Sequence, residues 1–216
     1  FVVDDHRAML WGLERLIDPR RSRQRDLVVG MLVARLLAPG SKLATARRLG
    51  QTTLGATLGI EGATEDELYA ALDWLGARQA RIEARLAARH LEPGGLVLYD
   101  LSSSYVEGSH CPLARLGYSR DGKKGTLQIE YGLLTDPAGR PVAVEVFSGN
   151  TGDPATVPAT LEKLRVRFGL TRVVLVGDRG MLTSARIETL RAAGLDWISA
   201  LRGPAIRTLA QGGTLQ

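Results

Sequence analysis

Glu92-Pro93-Gly94-Gly95 divides this chain of 216 residues into two stretches of different periodicity. A proline followed by paired glycines stops a helix, and the apolar spacing changes at once beyond it. Before it, Leu27, Met31, Ala34 and Leu37 recur at helical spacing until Pro39-Gly40 ends the run. Ser41 then stands as N-cap for a stretch through Leu49. Thr64-Glu65-Asp66-Glu67 has capping-box form, and predicts a helix to about His90 with Leu68, Leu72, Leu75, Ile82 and Leu86 on its buried face. Arg78, Arg81, Arg85 and Arg89 lie along another face, which reads as solvated in preference to a DNA-reading surface. Residues 1–92 are therefore expected to form an all-helical N-terminal region.

Beyond the boundary, Leu96–Asp100, Thr126–Leu134 and Pro141–Phe147 have strand character, and Asp136-Pro137-Ala138-Gly139 supplies a turn between the last two. A helix is expected over Pro158–Phe168, a strand over Val173–Val176, a helix over Ser184–Ala193 and a strand over Trp197–Leu201. The order βββαβαβ is that of the ribonuclease-H-like fold, an α/β mixed sheet, and it occupies residues 93–216. In that arrangement the first and fourth strands are neighbours. Asp100 and Asp178 each close an apolar run, so both would stand at one rim of the sheet. Two carboxylates aimed at one point, without a His or Cys cluster, suit a hard cation such as magnesium or manganese. That chemistry points to phosphoryl transfer on an anionic substrate.

The net charge of +5 and a pI near 9.7 favour nucleic acid or another polyanion as partner. Lys123-Lys124, between Gly122 and Gly125, reads equally as a phosphate clamp or a solvated loop. Gly149-Asn150-Thr151-Gly152-Asp153-Pro154 reads as a structured turn with Asp153 a cap. Cys111 is the single cysteine, so no disulfide framework exists, and His110-Cys111 has no partner at metal-ligand spacing. Trp11, Trp74 and Trp197 are most simply core residues. No apolar run has membrane-spanning length and no signal peptide is visible, which makes a cytoplasmic location the expectation.

From Leu96 to Arg202 the chain resembles the catalytic core of bacterial insertion-sequence transposases of the DDE type. The resemblance is carried by Tyr99-Asp100 with Ser102-Ser103-Ser104-Tyr105, by Gly117-Tyr118-Ser119-Arg120-Asp121, and by Gln128 leading into Gly132-Leu133-Leu134. It continues in order through Gly139-Arg140-Pro141-Val142, Gly149-Asn150 with Asp153, Gly177-Asp178-Arg179-Gly180-Met181, and Trp197-Ile198-Ser199-Ala200-Leu201-Arg202. Pro39-Gly40-Ser41-Lys42 is similar to the helical region that precedes such cores. The resemblance implies that Asp100 and Asp178 are the first two catalytic, metal-holding acids, and that Mg2+ or Mn2+ fills a two-metal site in the complete protein. It implies double-stranded DNA as partner, contacted by Arg120, Lys123, Lys124 and Arg179, and a homodimer in the synaptic complex. The family's third acid is a glutamate within a Tyr, Arg, Glu and Lys motif on a later helix. No such motif follows Asp178, and Glu188 lies too early in the topology to replace it. The chain is therefore expected to be a core truncated at its C-terminus, with little cleavage activity by itself.

Blander readings compete. A strand-end aspartate is often a turn residue or a helix cap, and Asp178-Arg179-Gly180 could be a turn into the next helix. A catalytically dead remnant that still binds DNA is one alternative. A haloacid-dehalogenase-like phosphatase is another, but the positions where that class carries further acids hold Ser102 and Leu182.

Overall fold

The computed structural model describes residues 12–118, 122–123, 125–201 and 203–212. The chain divides into two compact units, Phe1–Arg85 and Leu86–Gln216.

The first unit is helical throughout its described residues. A helical segment over 12–17 precedes α1 (Arg23–Leu37), α2 (Lys42–Leu49), α3 (Thr53–Leu58), α4 (Glu65–Gly76) and the start of α5 (Gln79–His90). The caps follow the sequence. Ser22, Ser41 and Thr64 each accept a backbone N–H at the start of α1, α2 and α4, and Thr64 with Glu67 completes a capping box. Leu27, Val28, Leu49, Ile60, Leu68 and Ala71 form its core.

The single helix expected to about His90 is in fact two. It breaks after Gly76, where Arg78 N–H bonds to Leu75 O at 2.9 Å. Glycine is a poor helix former, which makes this the easiest place for the run to turn. Ala71 is fully buried and Leu72 is not, so the buried stripe lies one position from the expected one. The arginine face also has a definite task. Arg85 Nη1 donates to the carbonyls of Arg15 and Leu16, and Arg81 Nη2 to that of Ile17. They satisfy the last carbonyls of the 12–17 helix, which have no partner of their own. Arg78 and Arg81 also pair with Asp18 at 3.2 and 3.1 Å.

The second unit is a six-stranded mixed sheet with helices on one face. Its strands are β1 (Leu96–Tyr105), β2 (Arg115–Leu116), β3 (Leu127–Thr135), β4 (Pro141–Ser148), β5 (Val174–Val176) and β6 (Asp196–Ile198). The long strands lie in the order β4-β3-β1-β5-β6, and two-residue β2 shares the outer edge of β3 with β4. β1 pairs antiparallel with β3 and parallel with β5, and β5 is parallel to β6. The expected ribonuclease-H-like order is thus present, with β2 as an addition.

Between β4 and β5 lie α6 (Asp153–Glu162) and a π-helical turn (Lys163–Arg167); α7 (Ser184–Ala192) separates β5 from β6, and α8 (Gly203–Gln211) follows. α6 begins five residues before the expected start at Pro158, so Asp153 lies in its first turn and Gly152 is the N-cap. Pro158, the expected first residue, is instead carried inside α6.

Val97, Tyr99 and Leu101 of β1 face the helices. They pack with Val157, Leu161, Leu164 and Leu190, and with Ala87 and Leu91 from the end of α5. Tyr99 crosses β3 at Gly132, where a β-carbon would stand 2.3 Å from the phenol oxygen. The other face carries Leu96, Asp100, Leu133, Val144, Val146 and Ile198, all exposed.

Candidate active site

The parallel register of β1 and β5 positions the two aspartates. Its pairs are Leu96↔Val174, Val97↔Leu175 and Leu98↔Val176. Asp100 and Asp178 each lie two residues beyond its last pair. Parallel neighbours lie about 4.8 Å apart. Between β1 and β5 the chain's connections leave in opposite directions, towards β3 and towards β6. In open α/β sheets such a switch point, at the carboxyl ends of parallel strands, is where ligands bind.

The strand does not end at Asp100, as the apolar run suggested. β1 continues through Ser102–Tyr105, paired with Tyr131 to Gln128 of β3. Only its pairing with β5 stops short of Asp100. Serines can continue a strand when a partner takes their backbone groups, and β3 does so here.

Asp100 and Asp178 are both exposed. Each is steered by one backbone hydrogen bond. Leu101 N–H donates to Asp100 Oδ1 at 2.8 Å, and Met181 N–H donates to Asp178 Oδ1 at 2.7 Å. Leu182 N–H also bonds to Asp178 O, at 3.1 Å. The turn role weighed for Asp178 is therefore real, and it fixes the carboxylate on a short turn at the strand end. No ion pair to either aspartate occurs among the described residues. Nor do any three or more His, Cys, Asp or Glu side chains assemble into a metal-holding group there. The donors that are present, carboxylate oxygens, fit a hard divalent ion in kind.

Beyond Asp100 the same face carries hydroxyls. Ser102 pairs across to Tyr131, and Ser104 Oγ donates to Tyr131 Oη at 3.4 Å. Hydrogen bonds from Ser102 and then Ser104 lower the pKa of the Tyr131 phenol below its ordinary value. Tyr131 was not singled out in the sequence. Its alternation with buried Gln128, Glu130 and Gly132 is the signal that places it on the aspartate face.

Of the basic residues, Arg179 is exposed directly after Asp178 and lines a cleft with Leu182, Thr183 and Ser184 at the start of α7. Lys123 Nζ lies 4.9 Å over the ring of Tyr105, at the end of β1. Arg120 and Lys124 lie outside the described residues, as does Trp11. Trp74 and Trp197 are partly buried against the cores of their units. No single helix among the described residues is long and apolar enough to cross a membrane.

A family model described as Transposase DDE domain matches residues 95–211. No curated protein matches the chain. Among solved structures, a Mos1 transposase paired-end complex with the left transposon end is 12% identical with a TM-score of 0.33. The chain covers 59% of that protein, which in turn takes in 82% of the chain. The piggyBac transposase synaptic complex with hairpin DNA is 11% identical, TM-score 0.45, with 86% of this chain and 45% of that one covered. The Mos1 strand transfer complex is 11% identical, TM-score 0.35, with 91% and 66% covered. The chain thus spans between about half and two thirds of these proteins.

Proposed function

The chain belongs to the Transposase DDE domain family, and from that membership we propose that it serves DNA transposition, by phosphoryl transfer at the ends of an insertion sequence. The observation that supports this reading is the β1–β5 register, whose last pair, Leu98↔Val176, lies two residues before each aspartate at the switch point of the sheet. Magnesium or manganese, when bound, would neutralise charge on the scissile phosphate and activate the attacking water or 3′-hydroxyl. The chain's own part is to hold two carboxylates in place beforehand. Each has one oxygen tied to a backbone N–H and the other open to ligand. Preorganisation of this kind carries most of the catalysis in phosphoryl transfer.

Double-stranded DNA is the partner, held along its phosphates by Arg179, Lys123 and the neighbouring Arg120 and Lys124. Two copies would bring two element ends together. Leu86–Gln216 is the catalytic unit, and the helical unit before it takes no part in the metal site.

The test is metal-dependent nicking of DNA that carries the element's ends. Nicking should require Mg2+ or Mn2+. In a protein extended to supply the third acid, Asp100→Asn and Asp178→Asn should each lower it by roughly 10²-fold or more, since each removes a metal-holding charge. A protein that nicks at full rate with Asp178→Asn would remove Asp178 from the mechanism. Robust nicking by the chain alone would also overturn the expectation that it lacks an essential third acid.

A further inference from the structure

The strands around Asp100 bring it no cation. β1 and its neighbours β3 and β5 contain neither lysine nor arginine, nor does β4. Much of the open face is apolar, with Leu133, Val144 and Val146 exposed on it. Asp100 pairs with Leu133, Ser102 with Tyr131 and Ser104 with Ile129. Alternate residues of a strand share a face, so Ser102, Ser104 and Tyr131 stand on the side of Asp100.

Three hydroxyls converge there. Ser104 Oγ donates to Tyr131 Oη at 3.4 Å, and Ser102 bonds to the same phenol. With serine protons directed at its oxygen, the phenol keeps its own proton for a further acceptor. The same bonds hold it below its ordinary pKa, which strengthens it as a donor. Ser102 lies two residues past Asp100 and Ser104 four, about 7 and 14 Å along β1. Successive phosphates of a duplex strand advance about 3.4 Å along the helix axis. A duplex seated at Asp100 therefore has further phosphates within that span. A Ser–Tyr pair across two strands also steadies a sheet, but that role alone would leave it indifferent to DNA.

We propose that Tyr131 is a neutral phosphate-binding residue: held by Ser102 and Ser104, its hydroxyl donates to a phosphate oxygen of DNA close to the phosphate at Asp100. Tyrosine hydroxyls are among the ordinary donors to DNA phosphates. This rests on the DNA-transposition reading above, and the test keeps the two apart.

Affinity for a mixed-sequence duplex is measured against salt for wild type, Tyr131→Phe, Ser104→Ala and the double variant. Tyr131→Phe keeps the ring and loses the hydroxyl. It should weaken binding about three- to tenfold, the range of one neutral hydrogen bond. The slope of log affinity against log salt should stay as in wild type, because a neutral donor releases no counterion. Ser104→Ala should weaken binding less, and should cost nothing further in the Tyr131→Phe background, since it acts through the phenol. Thermal melts check the fold of each variant. If Tyr131→Phe melts far below wild type, the double variant Ser102→Ala with Ser104→Ala, which leaves Tyr131 in place, carries the test: weaker binding at an unchanged slope is again expected. Affinity equal to wild type at every salt would overturn the proposal and leave these residues a cross-strand contact only. A shallower slope in Tyr131→Phe would also overturn it, because the loss would then be that of a cation. A wild type without salt-dependent binding removes the DNA reading and this contact with it, whereas a wild type that binds beside an indifferent Tyr131→Phe removes the contact alone.

Discussion

Asp178 holds a turn as well as standing at the proposed metal site, and a substitution can separate the two roles. Its carboxylate accepts Met181 N–H, and an asparagine side-chain oxygen can accept the same bond. Asp178→Asn should therefore unfold in denaturant close to wild type, whereas Asp178→Ala should lose about 1 kcal/mol, the usual worth of one such bond. Equal stability of the two would mean that the turn does not depend on the side chain. Glu67 offers a second residue-scale outcome. Its carboxyl is held down to about 2, first by the Arg23 guanidinium and then by the Thr64 N–H, from an ordinary value of 4.5. A depressed folded value stabilises the fold above the unfolded one. The contribution is whole above pH 4.5 and is lost as pH falls towards 2. Asp18 behaves alike, lowered to about 2 by the Arg20 N–H and then by Arg81 and Arg78. Thermal melts followed by circular dichroism should fall across that window, and Glu67→Gln should flatten part of the fall. The aspartates were legible because an acid closing an apolar run is conspicuous. Gln128 was legible only as a piece of a resemblance, since its partners are the carbonyls of Tyr118 and Gly149, which no side-chain pattern reveals.

At the scale of elements, glycines show which boundaries are local and which are tertiary. Gly76 ends α4 with open space where a β-carbon would go. Gly76→Ala should raise stability by about 0.5–1 kcal/mol through helix propensity alone. Gly55 in α3 is the contrast. A β-carbon there would stand 1.9 Å from the carbonyl of Leu49, and Gly55→Ala should cost well over 1 kcal/mol as backbone is forced apart. Chemical denaturation of both variants checks the pair, and the same sign for both would defeat the distinction. Propensity and capping made the helix starts at Ser41 and Thr64 readable. They could not show the break after Gly76, because Leu75 and Ile82 suit one long apolar stripe as well as two short ones. They also missed the second half of β1, where Ser102, Ser103 and Ser104 offer no apolar alternation and the strand exists only because β3 lies beside it. Strand formation there is a property of the pair and not of the segment.

At the scale of the molecule, Pro93-Gly94-Gly95 marks where helices give way to strands, yet the compact units divide earlier, between Arg85 and Leu86. The last turn of α5 sends Ala87 and Leu91 into the core of the sheet unit, and a helix shared in this way has no boundary signal of its own. Charge is the property the whole chain brings to a polyanion. Its formal excess is only +5, so binding driven by overall charge would be weak and diffuse. Binding through individual phosphate contacts behaves differently. Arg179, Lys123, Arg120 and Lys124, each meeting one phosphate, should give a plot of log affinity against log salt with a slope near −3 to −4. Reversing Lys123 and Lys124 to glutamate should reduce that slope by about 2 and weaken binding to every duplex sequence alike. Fluorescence anisotropy on duplexes of different sequence measures both effects. An affinity that is flat from low to physiological salt would exclude phosphate contacts as the source of binding. A slope unchanged by the double reversal would place those contacts elsewhere on the protein, with Arg179 beside Asp178 the next residue to reverse.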